Sequence, residues 1–280
     1  MKKIGFIDYF LSEWHANNYP AWIHELSKKF KEEFQVAYAW AEVDISPFDG
    51  VSTDQWCEKY RVERCNSIQE LCEKSDYILV LSPSNPEMHL KYAKEVFKYH
   101  KPTYIDKTFT PDYITAQKIY EIAEKEKTPF FSTSALRYAD EIQNLKDITT
   151  IVTTGGGVLM DEYIIHQIEM AVKVLEANPV SVKLEKAGKN YVAFVNFENG
   201  KSAVMNYGSE YPFTVHIEDK NGTRFYKEIQ SDFFKTLLFT ILEFYETKQV
   251  PFNSQQTLNA MKIREAIILC KEKLGQTITL

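Results

Sequence analysis

The stretch DYILVLSPSNPE, residues 76–87, decides the class of fold. An unbroken apolar run ended by turn residues reads as a strand buried on both faces, the kind a parallel sheet requires. Asn85, Pro86 and Glu87 then carry the signals of a helix start: a capping side chain, a proline at the first helical position and an acid in the first turn. Thr110-Pro111-Asp112 repeats that grammar after the strand PTYID (102–106), and the helix it opens runs to about residue 127, before the strand PFFSTS (129–134). Upstream, KKIGFID (2–8) and FQVAYAWAE (34–42) read as strands flanking a helix over 15–34, with Trp22, Leu26 and Phe30 on one face. A short helix is expected over 53–60, and Ser67-Ile68-Gln69-Glu70 has the spacing of a capping box. Strands alternating with helices over residues 1–134 predict an α/β fold with a Rossmann-like doubly wound parallel sheet.

Past residue 134 the grammar changes. YVAFVNFENGKSAVMNY (191–207) and FTVHIEDKNGTRFYKEI (213–229) each place Asn-Gly between alternating strands, the strongest short-range hairpin signal. Amphipathic helices are expected over 232–247 and 255–274, the second stopped by Gly275. Residues 135–280 therefore read as a second domain of antiparallel hairpins and closing helices, with the boundary near Ser134.

The 280 residues are 44% hydrophobic and 26% charged, enough for a core without staples. The formal net charge of -6 provides no positive field for a phosphate backbone, so no nucleic-acid partner is expected. The apolar start is broken at Asp8, and no run reaches the roughly 18 apolar residues of a membrane span. Four cysteines without a C-x-x-C pair read as reduced thiols, and the chain as cytoplasmic.

In an open parallel sheet, ligands bind beyond the carboxyl ends of the strands. The residues there are Asp8, Tyr9 and Phe10; Glu42 and Asp44; Ser82, Pro83, Ser84 and Asn85; Asp106 and Lys107; and residues 132–134. Lys107, between a strand and a helix, reads either as an ammonium that orients a substrate hydroxyl or as one surface lysine among many. His166, in the apolar segment after Gly155-Gly156-Gly157, reads as a proton acceptor for an alcohol or as a core histidine, and Glu169 lies one helical turn on. His89 faces the cofactor or packs its helix. Asp8 and His15 lack a ligand spacing, and no metal is assigned.

Taken together, these segments resemble the glucose-fructose oxidoreductase, inositol dehydrogenase and MocA family over nearly the whole length. ILVLSPSNPEMH (78–89) is similar to that family's strand ending in Thr-Pro-Asn, with His89 four residues on. HKPTYIDKTFT (100–110) resembles its Glu-Lys-Pro segment, with Asp106 and Lys107 in the first two places and Thr108 in the third. SALRYADEI (134–142) resembles its Arg-Phe segment, and GGGVLMDEYIIHQIE (155–169) its Gly-Gly-Gly, Asp, His and His-x-x-Asp sequence. The resemblance implies a Rossmann-like dinucleotide-binding domain at 1–134, followed by an α+β substrate and dimerisation domain at 135–280 with an open, mainly antiparallel sheet. It implies hydride transfer between NAD or NADP and a sugar or cyclitol, in a dimer or tetramer; a grip of Glu42 or Asp44 on the ribose diol would favour NAD. It implies Lys107 and His166 as catalytic residues, with Asp8, Tyr9, Phe10, Glu42, Ser82, Pro83, Ser84, Asn85, His89 and Asp106 at the cofactor. Lys107, Arg137, Tyr138, Asp161, His166 and Glu169 would contact substrate.

The chain departs from the family pattern in three places. Where G-x-G-x-x-G should follow the first strand stand Asp8, Phe10 and Glu13, two carboxylates and a ring where glycines admit a pyrophosphate. The segment between Arg137 and Gly155 is short, and one extra residue separates Asp161 from His166. An alternative function follows: a non-catalytic relative whose crevice binds a sugar or nucleotide without turnover. A third is lyase or hydrolase chemistry with a metal at Asp8 and His15.

Overall fold

The computed structural model describes every residue, Met1–Leu280. The chain forms two compact units, one of Met1–Thr133 with Lys235–Phe252, the other of Ser134–Phe234 with Asn253–Leu280.

The sheet of the first unit holds β1 (Lys2–Asp8), β2 (Phe34–Ala41), β3 (Glu63–Arg64), β4 (Tyr77–Val80), β5 (Thr103–Ile105) and β6 (Phe130–Ser132). All pair in parallel, in the order β3-β2-β1-β4-β5-β6. This is the doubly wound Rossmann order, and its direction reverses between β1 and β4, where such folds bind ligands. Ile4, Phe6, Ile7, Ile78, Leu79 and Val80 are wholly buried, as strands covered on both faces require.

Local chemistry sets the crossovers, with some differences from the sequence reading. Helix α1 (Trp14–Ser27) ends well before residue 34, because the N–H groups of Lys29 and Phe30 turn back to the carbonyls of Leu26 and Ser27, each at 3.0 Å. Its buried stripe is His15, Tyr19, Ile23 and Leu26, so Trp22 and Phe30 lie beside the core rather than in it. Helix α2 (Thr53–Tyr60) has a full capping box from Ser52 and Gln55. At α3 (Ile68–Lys74) only half of the expected box forms. Ser67 accepts the Glu70 N–H at 3.0 Å, but the Glu70 carboxylate accepts from Asn66 instead. Before α4 (His89–Val96) a 3-10 turn intervenes at Pro86–Met88, and Asn85 caps nothing: its amide donates to Glu87. Helix α5 (Tyr113–Glu126) is capped by Asp112.

The second unit has a seven-stranded sheet: β7 (Ile148–Gly155), β8 (Pro179–Ala187), β9 (Asn190–Phe197), β10 (Ser202–Tyr207), β11 (Thr214–Asp219), β12 (Arg224–Glu228) and β13 (Thr277–Thr279). Its order is β12-β11-β7-β10-β9-β8-β13, antiparallel except for β7 with β10. Both Asn-Gly hairpins form, with Asn199 in the left-handed region at φ 60°. Helices α6 (Met160–Leu175) and α8 (Ser254–Cys270) bury Ile164, Ile168, Ile263 and Ile267.

Between them in sequence, α7 (Phe233–Thr247) returns the chain to the first unit from Lys235 onward. There the Tyr245 hydroxyl donates to the Ile78 carbonyl at 2.7 Å, and its ring stacks on Tyr77 with centroids 4.7 Å apart. Phe244 meets Phe131 edge-on at 5.1 Å. All four cysteines are buried free thiols. No helix is long and apolar enough to cross a membrane.

Candidate functional site

In the first unit the reversal point is closed by Asp8, the last residue of β1, which is 1% exposed. Its Oδ1 accepts the N–H of Tyr9 at 2.7 Å, the N–H of Ser82 at 3.0 Å and the Ser82 hydroxyl at 3.3 Å. Ser82 turns there at φ 59°, so one carboxylate ties together the ends of β1 and β4. Oδ2 is buried with no hydrogen-bond partner. Burial, reinforced by the nearby Glu13 charge, holds the Asp8 carboxyl well above the usual carboxylate range.

The turn from Tyr9 to Glu13 is filled and anchored. Phe10 is buried edge-on against Phe48, with centroids 5.2 Å apart. Tyr9 O accepts from the Val43 N–H at 2.8 Å, Ser12 O from the Ser46 hydroxyl at 2.9 Å, and Asp49 from the Ser12 hydroxyl at 2.7 Å. At the head of α1 the Glu13 carboxylate accepts the N–H of His15 at 2.8 Å and that of Ala16. Glutamate is not among the ordinary cap residues, whose shorter side chains reach these donors with less loss of freedom. Burial raises the Glu13 carboxyl despite the His15 ring and these N–H donors.

His15 stacks on Tyr19 with centroids 5.1 Å apart, and its Nδ1 pairs with Asp106 Oδ2. Asp106 is buried, and its Oδ1 accepts from the Tyr104 hydroxyl at 3.1 Å. Burial acts to raise the Asp106 carboxyl, but the His15 ring and Lys107 outweigh it and hold the group below the usual range. Half-buried Lys107 follows directly. His89 has no exposed surface: its two ring nitrogens lie 2.7 Å from the carbonyls of Phe109 and Leu81, fixing the segment after β5 against the end of β4. Glu42, past β2, is held by Lys91 at 2.7 Å from both oxygens. In the 82–86 loop the Asn85 N–H donates to Ser82 O at 3.0 Å, Pro83 is half-buried and Ser84 is exposed.

In a Rossmann domain this turn receives a pyrophosphate on the free N–H groups of the first helix. Here those donors already hold a carboxylate, a second carboxylate lies buried alongside, and a phenyl ring occupies the turn. The residues present do not fit a pyrophosphate in this arrangement. Nor does any group of three or more His, Cys, Asp or Glu assemble as a metal site.

The second unit brings other candidates together. His166, half-buried on α6, has its Nδ1 2.6 Å from the hydroxyl of Ser134, which also accepts the Leu136 N–H at 3.3 Å. The ring lies among Tyr163 and Phe213, each 5.7 Å away. Arg137 and Glu169 form an ion pair at 2.9 Å with side chains only 4% and 3% exposed. Tyr138 follows with its hydroxyl buried and unpartnered. Lys173, one turn beyond Glu169, donates to Gln143, and burial together with the Arg137 charge pushes its pKa down to about 8. Asp161 is drawn to Lys271 at 2.9 Å.

The glycine run before α6 has a packing cause. A Cβ on Gly156 would stand 2.3 Å from Gly208 O and 2.5 Å from Ser209 O, backbone atoms that cannot yield. Sequence reasoning did not identify the capping role of Glu13, the partnership of Ser134 with His166, or Lys173. A glutamate in a cap position carries no recognised signal, and the other two depend on contacts across 32 and 30 residues.

Residues 27–134 match the model of the Gfo/Idh/MocA family, described as an oxidoreductase family with an NAD-binding Rossmann fold. The match begins at the last residue of α1, so β1, the filled turn and the head of α1 lie outside it. No protein of curated function matches the chain in sequence. Among solved structures, the chain is similar to the myo-inositol dehydrogenase of Lactobacillus casei in complex with NAD(H) and myo-inositol. The TM-score is 0.79 at 9% identity, covering 100% of this chain and 96% of that one. A myo-inositol dehydrogenase of Corynebacterium glutamicum gives 0.78 at 14% identity over 100% and 98%. The UDP-N-acetylglucosamine 3-dehydrogenase GnnA of Acidithiobacillus ferrooxidans gives 0.74 at 13% over 96% and 98%. Identities this low speak to the fold, and the fold is the one the sequence resemblance implies.

Proposed function

We propose that the chain is an NAD(P)-dependent oxidoreductase acting on a CH–OH group of a sugar, cyclitol or similar polyhydroxylated small molecule. The observation that carries this reading is the family match over residues 27–134, which spans β2 to β6 and includes Lys107 at the end of β5. The similarity to inositol and nucleotide-sugar dehydrogenases supports the substrate class. In this reading His166, its ring held by Ser134, exchanges the proton of the substrate hydroxyl, and Lys107 is the residue that orients a substrate hydroxyl. Glu42 and Asp44 favour the ribose diol of NAD over the phosphate of NADP. The reading also takes the protein as a cytoplasmic dimer or tetramer.

The filled first turn favours a second reading, a non-catalytic relative that keeps the crevice for a sugar or nucleotide. Titration of the full chain with NADH and NADPH, followed by fluorescence or calorimetry, decides between them. Micromolar affinity for either supports the oxidoreductase; millimolar or no affinity for both transfers the chain to the second reading.

A further inference from the structure

We propose that Glu13 is an internal occupant of the anion position at the head of α1, an anion the chain supplies to itself and one that a phosphate-bearing ligand has to expel. The proposal rests on the oxidoreductase reading only for the identity of that ligand, a dinucleotide. Three observations carry it.

First, the side chain takes the N–H groups of His15 and Ala16, donors that an α-helix of 14 residues otherwise leaves for an anion. A carboxylate there satisfies the same partial charge that a phosphate would. Second, the occupant is buried, at 7% exposure, on a turn pinned by Ser46, Val43 and Asp49. It is thus part of the fold's interior and not a surface side chain resting near a helix end. Third, Asp8 Oδ2 lies buried and unpartnered at the same strand end. A phosphate entering there meets this second buried carboxyl group, so vacating the helix end and admitting the ligand are separate requirements, and Glu13 governs the first. The family match, which starts only at residue 27, runs over the part of the unit that lacks this device.

The test uses the full chain and two substitutions. Glu13→Ser places a hydroxyl in the cap position, where serine is a preferred residue, and removes the charge and reach of the carboxylate. Glu13→Gln keeps the shape and removes the charge. Folding of each is checked by circular dichroism. Binding of inorganic pyrophosphate and of NADH is then measured by calorimetry for wild type and both variants.

The expected result is about a tenfold gain in pyrophosphate affinity for Glu13→Ser and a smaller gain for Glu13→Gln, as anion contacts at a helix head scale. Unchanged pyrophosphate affinity in Glu13→Ser, or in Glu13→Gln should the serine variant fail to fold, overturns the proposal. The NADH arm reports on the enzyme reading separately. A pyrophosphate gain with no NADH binding by any form sustains the role of Glu13 and removes the dinucleotide. Micromolar NADH binding by wild type with no gain in either variant removes the role of Glu13 and leaves the dinucleotide in place.

Discussion

Glu169→Gln is expected to destabilise the second unit by about 3–5 kcal/mol, the cost of breaking a buried ion pair from one side. Several features set that scale. The Arg137 and Glu169 side chains are 4% and 3% exposed at 2.9 Å, so water does not replace the lost partner. Lys173 is already pushed down to about 8 by burial and by the Arg137 charge, which marks the surroundings as hostile to a further uncompensated cation. At about 2–4 °C per kcal/mol for a protein of this size, the melting midpoint falls by roughly 6–20 °C. The double substitution Arg137→Met with Glu169→Leu removes both charges and recovers most of the loss, since an apolar pair of similar volume replaces a buried ion pair at little cost. Thermal and urea unfolding followed by circular dichroism measure all three proteins. If Glu169→Gln stays within about 1 kcal/mol of wild type and the double variant is no better than the single, the pair is not the buried strut described here. The sequence expectation that these residues wall the substrate would then regain ground, with the loss appearing in KM and not in stability.

Two further predictions concern the same unit. Lys173 has a folded pKa of about 8 against 10.5 for the free side chain, so over that interval the unfolded chain binds more protons and stability climbs with pH. Lys173→Met is therefore expected to stabilise the protein at pH 7 and to lose that advantage as pH rises from about 8 toward 10.5; a constant difference across denaturation curves in this range would contradict it. Gly156→Ala drives a methyl group into Gly208 O and Ser209 O, and a loss of about 1–3 kcal/mol is expected from the urea midpoint. A wild-type midpoint would show that the backbone at 208–209 gives way.

The parts of the fold that were legible are those written in local chemistry. Residues 78–80 are apolar and wholly buried because both faces of their sheet are covered, and Asn199-Gly200 and Asn221-Gly222 supply backbone conformations that a hairpin needs. The end of α1 was not legible: residues 28–33, mostly charged around Phe30, contain no glycine or proline, and the helix closes in the turn of Lys29 and Phe30 onto Leu26 and Ser27 before Phe34 pairs with Lys2. At the candidate site the sequence located Asp8, Phe10 and Glu13 where glycines were expected and read them as obstacles. It did not disclose that Glu13 caps the helix itself, nor that His15 and Asp106, 91 residues apart, form one buried pair. Charge and size are visible in a string of letters, whereas the direction in which a long side chain folds back is settled by the backbone around it.

The return of α7 to the first unit has a consequence for how the chain matures on the ribosome. Tyr77, Phe34 and Phe131 lie on a face that Tyr245 and Phe244 cover, and these two are made more than a hundred residues after the last strand of that sheet. A nascent chain halted near residue 134 therefore carries a bare aromatic sheet face. That fragment would demand a chaperone or precipitate, and a gene cut at this seam yields no independent N-terminal half.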